Sequence, residues 1–251
     1  MEERTGLKEA LQFIADLGIQ SRAPQVAEIN GKKYSREALR EYGAAPLAEP
    51  IRATTLTALV DYITHSGATE MPSDMILQIK SPTHVELYSA LNDERKRETL
   101  FEVDAMLPGF RYDTEYDQER FVVAVQACIE DTDDRKAILM FASNVVNQKT
   151  AEFSDDGVTQ QAVIKTGLTQ KELAIVPSPA RLRPFRTFTE LAQPESEFVF
   201  RMSEGRNGQP TFKLIEADGG RWKIEAMQSI KAYFEEALSD LIGIGRIIIL
   251  A

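Results

Sequence analysis

The fold is decided in residues 198–234, which read FVFRMSEGRNGQPTFKLIEADGGRWKIEAMQSIKAYF. Two short segments of this stretch alternate apolar and polar residues, which is the pattern of strands that bury one face. Asn207-Gly208 lies between the two segments and favours a turn, so the stretch predicts a β-hairpin. The apolar positions of the two strands are Phe198, Phe200 and Met202, then Phe212 and Leu214.

The chain beyond the hairpin carries a second turn and a helix. Asp218-Gly219-Gly220 predicts the turn, because glycine takes positive φ without a steric cost. Residues Arg221–Ile224 predict a short third strand. Apolar residues then follow at helical spacing and predict a helix that lies on the sheet; they are Met227, Ile230, Phe234, Leu238 and Leu241.

Two segments around this stretch resemble a known family. RLRPFRTFTELAQPESEFVFR at 181–201 and EADGGRWKIEAMQSIKAYFEE at 216–236 are similar to the C-terminal half of the YfdQ-like family of phage and prophage proteins. A weaker similarity lies in TLTALVDYI at 55–63. The resemblance implies a bacteriophage or prophage source and a cytoplasmic location in the bacterial host. It carries over no catalytic residue, because the family has no assigned function.

The composition of the 251 residues is that of a folded globular protein, with 43% hydrophobic and 27% charged residues. The formal net charge of −10 means that the surface as a whole repels nucleic acid and anionic membranes. The single cysteine, Cys128, excludes an intramolecular disulfide and a zinc site built on cysteines. No apolar stretch approaches the ~20 residues that cross a bilayer, and the acidic N-terminus is unlike a secretory signal. We therefore expect a soluble cytoplasmic protein without a cofactor or a membrane contact.

The N-terminal 50 residues are expected to form a sub-structure of helices and a hairpin. A helical stripe predicts a first helix that ends at Gly18; its members are Leu7, Leu11, Ile14 and Leu17. Asn30-Gly31 within Val26–Tyr34 predicts a hairpin, and Ser35 opens a further predicted helix. Residues Ala44–Pro50, with two prolines, are the best linker candidate.

The middle of the chain predicts a helix, a sheet and two more helices. Apolar spacing predicts a helix over residues 52–65. Alternation then predicts an antiparallel meander, with strands at Met75–Lys80, His84–Leu91 and Arg97–Met106. Two helices with the apolar positions Phe121, Val125, Cys128 and Ile129, then Ile138, Phe141, Ala142 and Val145, are expected to cover that sheet, the second capped by Asp133 or Asp134.

A hairpin and a proline-rich segment complete the organisation. Residues Thr150–Leu168 predict a hairpin around Asp155-Asp156-Gly157. Pro177, Pro179 and Pro184 then indicate an edge strand or an extended arm over residues 177–195, because proline removes a ladder donor. The expected fold class is α+β, with antiparallel sheets, packed helices and an extended proline-rich arm, in a single domain over residues 1–251.

The isolated candidates for catalysis have simpler interpretations. His65 ends a predicted helix, where an imidazolium suits the helix dipole, and His84 begins a predicted strand. Cys128 lies on an apolar helix stripe, which is typical of a small buried hydrophobe rather than a nucleophile. Neither histidine nor the cysteine belongs to a triad or metal pattern, so the sequence predicts no catalytic residue.

Four alternating acids precede the third predicted helix. If the segment is extended, the carboxylates of Asp113, Glu115, Asp117 and Glu119 share one face and can hold Mg²⁺ or Ca²⁺, as in a carboxylate-dependent hydrolase. The favoured interpretation is a solvated loop that leads into a helix N-terminus, because the calcium-loop pattern of glycine and glutamate is absent. No metal is therefore predicted.

The locally basic stretch interleaves arginines with aromatic residues. Arg181, Arg183 and Arg186, with Phe185 and Phe188, form a candidate surface for a protein partner or for nucleic acid. Such residues grip phosphate and stack bases in single-strand binders, but on an acidic protein they more often pair with carboxylates. Trp222 is open to two interpretations, a ligand platform or an anchor of the core.

The C-terminal residues Ile247, Ile248, Ile249 and Leu250 are apolar at every position. A strand points successive side chains to opposite faces, so residues 246–251 predict a strand buried on both faces, in the middle of a sheet or under a neighbouring subunit. This strand and the arm favour a non-enzymatic phage accessory protein that acts by protein–protein contact and homo-oligomeric assembly, as a ring or shell in one variant. The alternative is a nucleic-acid-associated accessory of phage replication or recombination.

Overall fold

The computed structural model describes residues 2–22, 26–29, 32–35, 47–65, 74–92, 95–145, 154–155, 160–166, 170–205 and 208–251. The chain forms two compact units, residues 1–47 and residues 48–251. The division falls close to residue 50, where the predicted N-terminal sub-structure ends. Helices combined with antiparallel and mixed sheets confirm the predicted α+β class.

The first unit consists of a helix and a hairpin in its described part. Helix α1 (Glu2–Arg22) runs past Gly18, where it was predicted to end, because one glycine costs a helix only about 1 kcal/mol. Strands β1 (Val26–Ile29) and β2 (Lys32–Ser35) pair antiparallel and confirm the predicted hairpin. Ser35 ends β2, and the helix predicted from it lies outside the described residues, as does most of the linker. No helix in the described ranges is long and apolar enough to span a bilayer.

The second unit contains, in chain order, β3 (Ile51–Ala53), α2 (Leu56–His65), β4 (Met75–Ser81), β5 (His84–Ser89), β6 (Thr99–Asp104), β7 (Tyr116–Asp117), α3 (Gln118–Cys128), α4 (Asp133–Asn144), β8 (Ser154–Asp155), β9 (Gln160–Thr166), β10 (Gln170–Val176), β11 (Ala180–Leu182), β12 (Ser196–Glu204), β13 (Pro210–Glu216), α5 (Trp222–Ala237), α6 (Ser239–Gly243) and β14 (Ile247–Leu250). Its described strands form three sheets, in the orders β14-β4-β5-β6-β3, β11-β12-β13-β7 and β10-β9-β8.

The five-stranded sheet is built on the predicted meander. Strands β4, β5 and β6 pair antiparallel, while β14 and β3 join the two edges as parallel strands. Helix α2 begins at Leu56 rather than at residue 52, because Ile51–Ala53 pair with β6 as β3. Side chains of α2 and α5 pack on one face of this sheet and form one of two hydrophobic cores.

The four-stranded sheet contains the predicted hairpin, β12 and β13, paired antiparallel in full register. Helices α3 and α4 pack on this sheet, so the expectation that they cover the meander is wrong. The reason lies in the aromatic residues of the hairpin. The ring of Phe121 on α3 lies 5.3 Å from that of Phe212, and the ring of Phe141 on α4 lies 5.5 Å from that of Phe200. This aromatic cluster is the centre of the second core.

Helix α5 replaces the predicted third strand. Gly219 and Gly220 have φ of 65° and 80°, which confirms the predicted turn. The Asp218 carboxylate accepts a hydrogen bond from Gly220 N at 3.0 Å, which stabilises this turn. Helix α5 begins at Trp222, so the prediction of a strand over Arg221–Ile224 is wrong. The predicted apolar stripe faces the five-stranded sheet instead of the hairpin.

Two smaller predictions concern α4 and the region of β8. Thr132, rather than Asp133 or Asp134, caps α4, since its hydroxyl accepts a hydrogen bond from Arg135 N at 3.2 Å. Strands β8 and β9 pair antiparallel, as expected for the hairpin, and its turn lies outside the described residues.

The proline-rich segment 177–195 is a packed strap rather than an exposed arm. Strand β11 is the predicted edge strand, but the residues after it contact both cores. Phe185 N donates to Cys128 O at 2.9 Å beside the aromatic core. Thr187 Oγ1 donates to Pro82 O at 2.6 Å in the β4–β5 turn. The Glu190 carboxylate accepts hydrogen bonds from the backbone of Leu56 and Thr57 at 2.7 and 2.9 Å, and so caps α2.

Candidate functional site

The three arginines of the basic stretch differ in burial, and each pairs with a carboxylate. Arg181 and Arg183 are exposed, and their ion pairs with Glu197 and Glu195 are 3.9 and 3.5 Å long. Arg186 is only 7% exposed and pairs with Glu216 at 2.5 Å. All three arginines therefore have a carboxylate partner within the chain.

The aromatic members of the same stretch are poorly placed for nucleic acid. Phe188 is 1% exposed and belongs to the core of the five-stranded sheet, so base stacking on it is wrong. Phe185 is half-buried. The prediction that Arg186 contacts phosphate is also wrong, because its side chain is buried. The strap buries Arg186, Thr187 and Phe188 because it packs against both cores. A free arm would leave these side chains in solvent.

Arg186 lies in a cage of aromatic rings. Its Cζ atom is 4.1 Å from the centre of the Trp222 ring, and 5.4 and 5.8 Å from the centres of Phe198 and Tyr112. The guanidinium also donates hydrogen bonds to Glu216 and Ser196. Burial lowers the pKa of Arg186 and raises the pKa of Tyr112. Trp222 is thus a half-buried partner of a buried cation and belongs to neither hydrophobic core, and its use as a ligand platform stays a prediction.

Two cavities lie beside Trp222, and its side chain lines both. One, of about 530 Å³, is mainly charged and is lined by Arg181, Glu195, Glu197, Asp218, Arg221 and Glu225, among others. The other, of about 360 Å³, is mixed and is lined by Leu107, Pro108, Phe110, Phe185, Arg186 and Lys223, among others. We call the second the Trp222 cavity. Both exceed or match the ~300 Å³ at which pockets begin to hold small ligands.

The two histidines have different surroundings. His65 ends α2, as predicted, and its exposed ring bonds Asp61 O at 3.0 Å. His84 begins β5, as predicted, and its ring nitrogens lie 2.7 Å from carboxylate oxygens of Glu86 and Asp104. Two carboxylates beside the ring nitrogens stabilise the protonated form of His84. The geometry therefore favours a network on the sheet over a general base.

Glu86 is the centre of this network. Burial alone would lower the pKa of His84, because it favours the neutral imidazole, but the hydrogen bonds with Glu86 and Asp104 outweigh burial and raise that pKa. Burial would raise the pKa of Glu86, but hydrogen bonds from Lys80, Tyr88 and His84 lower it to about 2. Glu86 therefore stays ionised through the whole range in which His84 titrates.

Replacing His84 with glutamine is expected to lower the free energy of unfolding most under mildly acidic conditions. The folded pKa lies above the ordinary value of 6.5, so the stabilising effect is fully present below that value and is lost as pH rises through the folded pKa. The titratable groups that face His84 are Lys80, Glu86, Tyr88 and Asp104. Urea denaturation of both proteins between about pH 5.5 and about pH 8.5 checks this.

His65→Gln is the matched control for that experiment. Its exposed ion pair with Asp61, at 4.0 Å, is worth at most about 1 kcal/mol. The control is expected to differ little from the wild type across the pH range. A destabilisation by His84→Gln that does not change with pH would contradict the charged network.

The cysteine and the alternating acids keep their simpler interpretations. Cys128 is buried on α3, and burial raises the pKa of its thiol, as expected for a small hydrophobe. Asp117 caps α3 by accepting from Arg120 N at 2.9 Å, which confirms the loop that leads into a helix N-terminus. Asp113 pairs with Lys213 at 3.0 Å. Among the described residues, no group of three or more histidine, cysteine or acidic side chains is arranged to hold a metal ion.

The apolar C-terminal strand lies at an edge of the five-stranded sheet. A strand over these residues is confirmed, but its placement in the middle of a sheet is wrong. Ile247 is buried and Ile249 is half-buried in the core, whereas Ile248 and Leu250 are 55% and 46% exposed. Its cover by a neighbouring subunit stays a prediction.

Sequence reasoning missed the partners of these groups. His84, Glu86 and Tyr88 alternate along a predicted strand, and this spacing could have revealed a polar cluster on one sheet face. Glu216 and Ser196 carry no local signal that connects them to Arg186, because the contacts form only after the hairpin and the strap have packed.

No protein-family model, curated protein or solved structure matches this chain. The resemblance to the YfdQ-like family accordingly stays a prediction. Interpretation of the chain therefore rests on the geometry of its own residues.

Proposed function

We propose that the protein is a non-enzymatic binding protein that assembles with copies of itself through the edge strand β14. The observation that carries the proposal is the pair of exposed aliphatic side chains, Ile248 and Leu250, on a strand with a neighbour on one side only among the described strands. Isolated exposed apolar residues are ordinary, but here they sit on an unpaired backbone edge. Such an edge is a template for a strand of another chain.

The sheet face opposite the core, called the outer face, extends this apolar edge. The strand register places Ile248 beside Ile76, and Ile76 beside Tyr88, which are both half-buried. The next row runs from Leu250 through Gln78 to Glu86. The outer face is therefore apolar near β14 and charged further away, which is the division of an interface centre and its rim.

A second copy is the occupant that this edge fits. Two β14 strands that pair antiparallel about a two-fold axis join their sheets into one of ten strands, and each copy buries Ile248 and Leu250 against its partner. The backbone edge of β14 is then paired on both sides, and the exposed aliphatic side chains of the two copies lie beside each other on the outer face. The proposal that this binding protein is a phage accessory is supported only by its resemblance to phage and prophage proteins.

Replacing Ile248 with lysine is expected to convert the assembly into monomers. A charge on the edge strand opposes pairing, which is how natural edge strands avoid association. Light scattering after size-exclusion chromatography is expected to give at least twice the 28.1 kDa of one chain for the wild type, and that mass for the variant. Val123→Lys, at an exposed aliphatic position of α3, is the matched control and is expected to keep the wild-type mass.

Two results would overturn the proposal. One is a wild type that stays monomeric at the highest soluble concentration. The other is an assembly that Ile248→Lys leaves intact while Ile14→Lys dissociates it. That second result would assign the contact to α1, whose residues Leu11, Ile14 and Leu17 are also exposed. A closed ring or a shell needs a second kind of contact besides the two-fold edge, and the α1 stripe is the surface available for it.

A further inference from the structure

We propose that the Trp222 cavity binds a small aromatic carboxylic acid as its anion. The cavity holds about 360 Å³ and lies between the residues that follow β6, the strap and the first turn of α5. Its lining combines aromatic and aliphatic residues with a few charged groups. A mainly apolar wall with few polar groups is the usual composition of a small-molecule site.

The charged groups of the cavity favour an anion. Two cations, Arg186 and Lys223, face one carboxylate, Glu216. Glu216 is engaged by Arg186 at 2.5 Å. Lys223 pairs with no carboxylate in the part of the chain that the structure describes, and its Nζ lies 5.9 Å from the Trp222 ring centre. Lys223 is therefore the group that is placed to bind the carboxylate of a ligand.

Two buried hydrogen-bond donors also favour an anionic ligand. Arg186 Nε and Trp222 Nε1 are both buried, and neither has a hydrogen-bond acceptor within the described protein. Buried N–H groups without an acceptor are rare in folded proteins. Both belong to residues that line the Trp222 cavity. An N–H group without an acceptor favours an anion over a cation in its neighbourhood.

The aromatic lining of the cavity favours a ligand with an aromatic ring. The Phe110 ring stacks on that of Tyr116 and lies tilted against that of Tyr112, at ring-centre distances of 5.3 and 5.1 Å. Phe110 lines the cavity together with Tyr112, Phe185 and Trp222, so four aromatic rings border the space. Rings of a ligand pack on such walls in offset or edge-on geometry. Leu107 and Pro108 complete the apolar wall.

Phenylacetate is the probe that tests this proposal. Trp222 is the single tryptophan of the 251 residues, so tryptophan fluorescence reports on binding beside this residue, and the Lys223 variant below assigns the signal to the Trp222 cavity, because Lys223 lines only that one of the two. Titration of the full chain with phenylacetate is expected to give a saturable fluorescence change. Phenylacetamide, which keeps the ring and lacks the charge, is expected to bind about tenfold more weakly.

Lys223→Gln is expected to weaken phenylacetate binding about tenfold, because it removes a charge-assisted hydrogen bond. Lys231→Gln is the matched control, since this lysine lies on the same helix and pairs with Glu235 at 3.8 Å. Circular dichroism of each variant verifies the fold. The proposal is overturned if phenylacetate gives no saturable change, if phenylacetamide binds equally well, or if folded Lys223→Gln keeps the wild-type affinity.

Discussion

Replacing Phe200 with alanine is expected to lower the free energy of unfolding by about 3–5 kcal/mol. Phe200 lies at the centre of the aromatic core and is 1% exposed. Its ring lies 5.5 Å from that of Phe141, 5.9 Å from that of Phe121 and 6.0 Å from that of Phe212. Alanine leaves a cavity that these three rings cannot close, because they come from two helices and a neighbouring strand.

The matched control is Val199→Ala on the same strand. Val199 points to the other face of β12 and is half-buried, so its truncation is expected to cost about 1 kcal/mol. Urea denaturation followed by circular dichroism measures both values. Equal destabilisation by the two substitutions would contradict the assignment of the inward face of the hairpin.

Replacing Arg186 with alanine is expected to lower the free energy of unfolding by about 3 kcal/mol. The substitution removes the ion pair with Glu216 and the stacking on Trp222, and it leaves Ser196 without its guanidinium partner. The loss combines an unpaired carboxylate with a cavity inside an aromatic cage.

Arg186→Met and Arg181→Ala are the controls for that prediction. Methionine keeps much of the apolar volume, and apolar replacements of buried ion pairs are often well tolerated, so this variant is expected to be less destabilised than the alanine variant. Arg181 is exposed and its pair with Glu197 is long, so its removal is expected to change stability by about 1 kcal/mol or less. Similar losses for Arg181→Ala and Arg186→Ala would contradict the buried cage.

Local pattern was sufficient to predict many elements of this fold. The β12–β13 hairpin, the β4–β6 meander and the turn at Gly219-Gly220 each depend on residues close together in sequence. The assignment of helices to sheets was not predictable in this way. Helices α3 and α4 have stripes that fit either sheet, and the choice depends on the aromatic residues of a hairpin that follows them in the chain.

The arginines show the same limit for the candidate site. Arg181, Arg183 and Arg186 have equivalent neighbours in sequence, with an aromatic or aliphatic residue beside each. Only the path of the strap places Arg186 between Trp222 and Phe198, whereas the other two stay in solvent. The sequence located a basic segment, and tertiary packing decided which of its members is buried.

In β14 the apolar composition of the strand did not fully predict its burial. Four consecutive aliphatic residues predicted cover on both faces, but the strand is at an edge, and alternate side chains are exposed. The pattern therefore predicted the strand and its buried face, whereas Ile248 and Leu250 on the outer face are exposed.

The cap that Glu190 gives to α2 has a consequence for synthesis on the ribosome. Leu56 and Glu190 are 134 residues apart in the chain. At the usual 5–20 residues per second, α2 leaves the ribosome about 7–27 s before its capping carboxylate is made. During that interval its first backbone N–H groups lack their carboxylate partner, and the aliphatic residues of the nascent meander lack the C-terminal helix and strand that complete their core. The five-stranded sheet can therefore complete its core only when translation is nearly finished, because α5 and β14 are the last large elements of the chain.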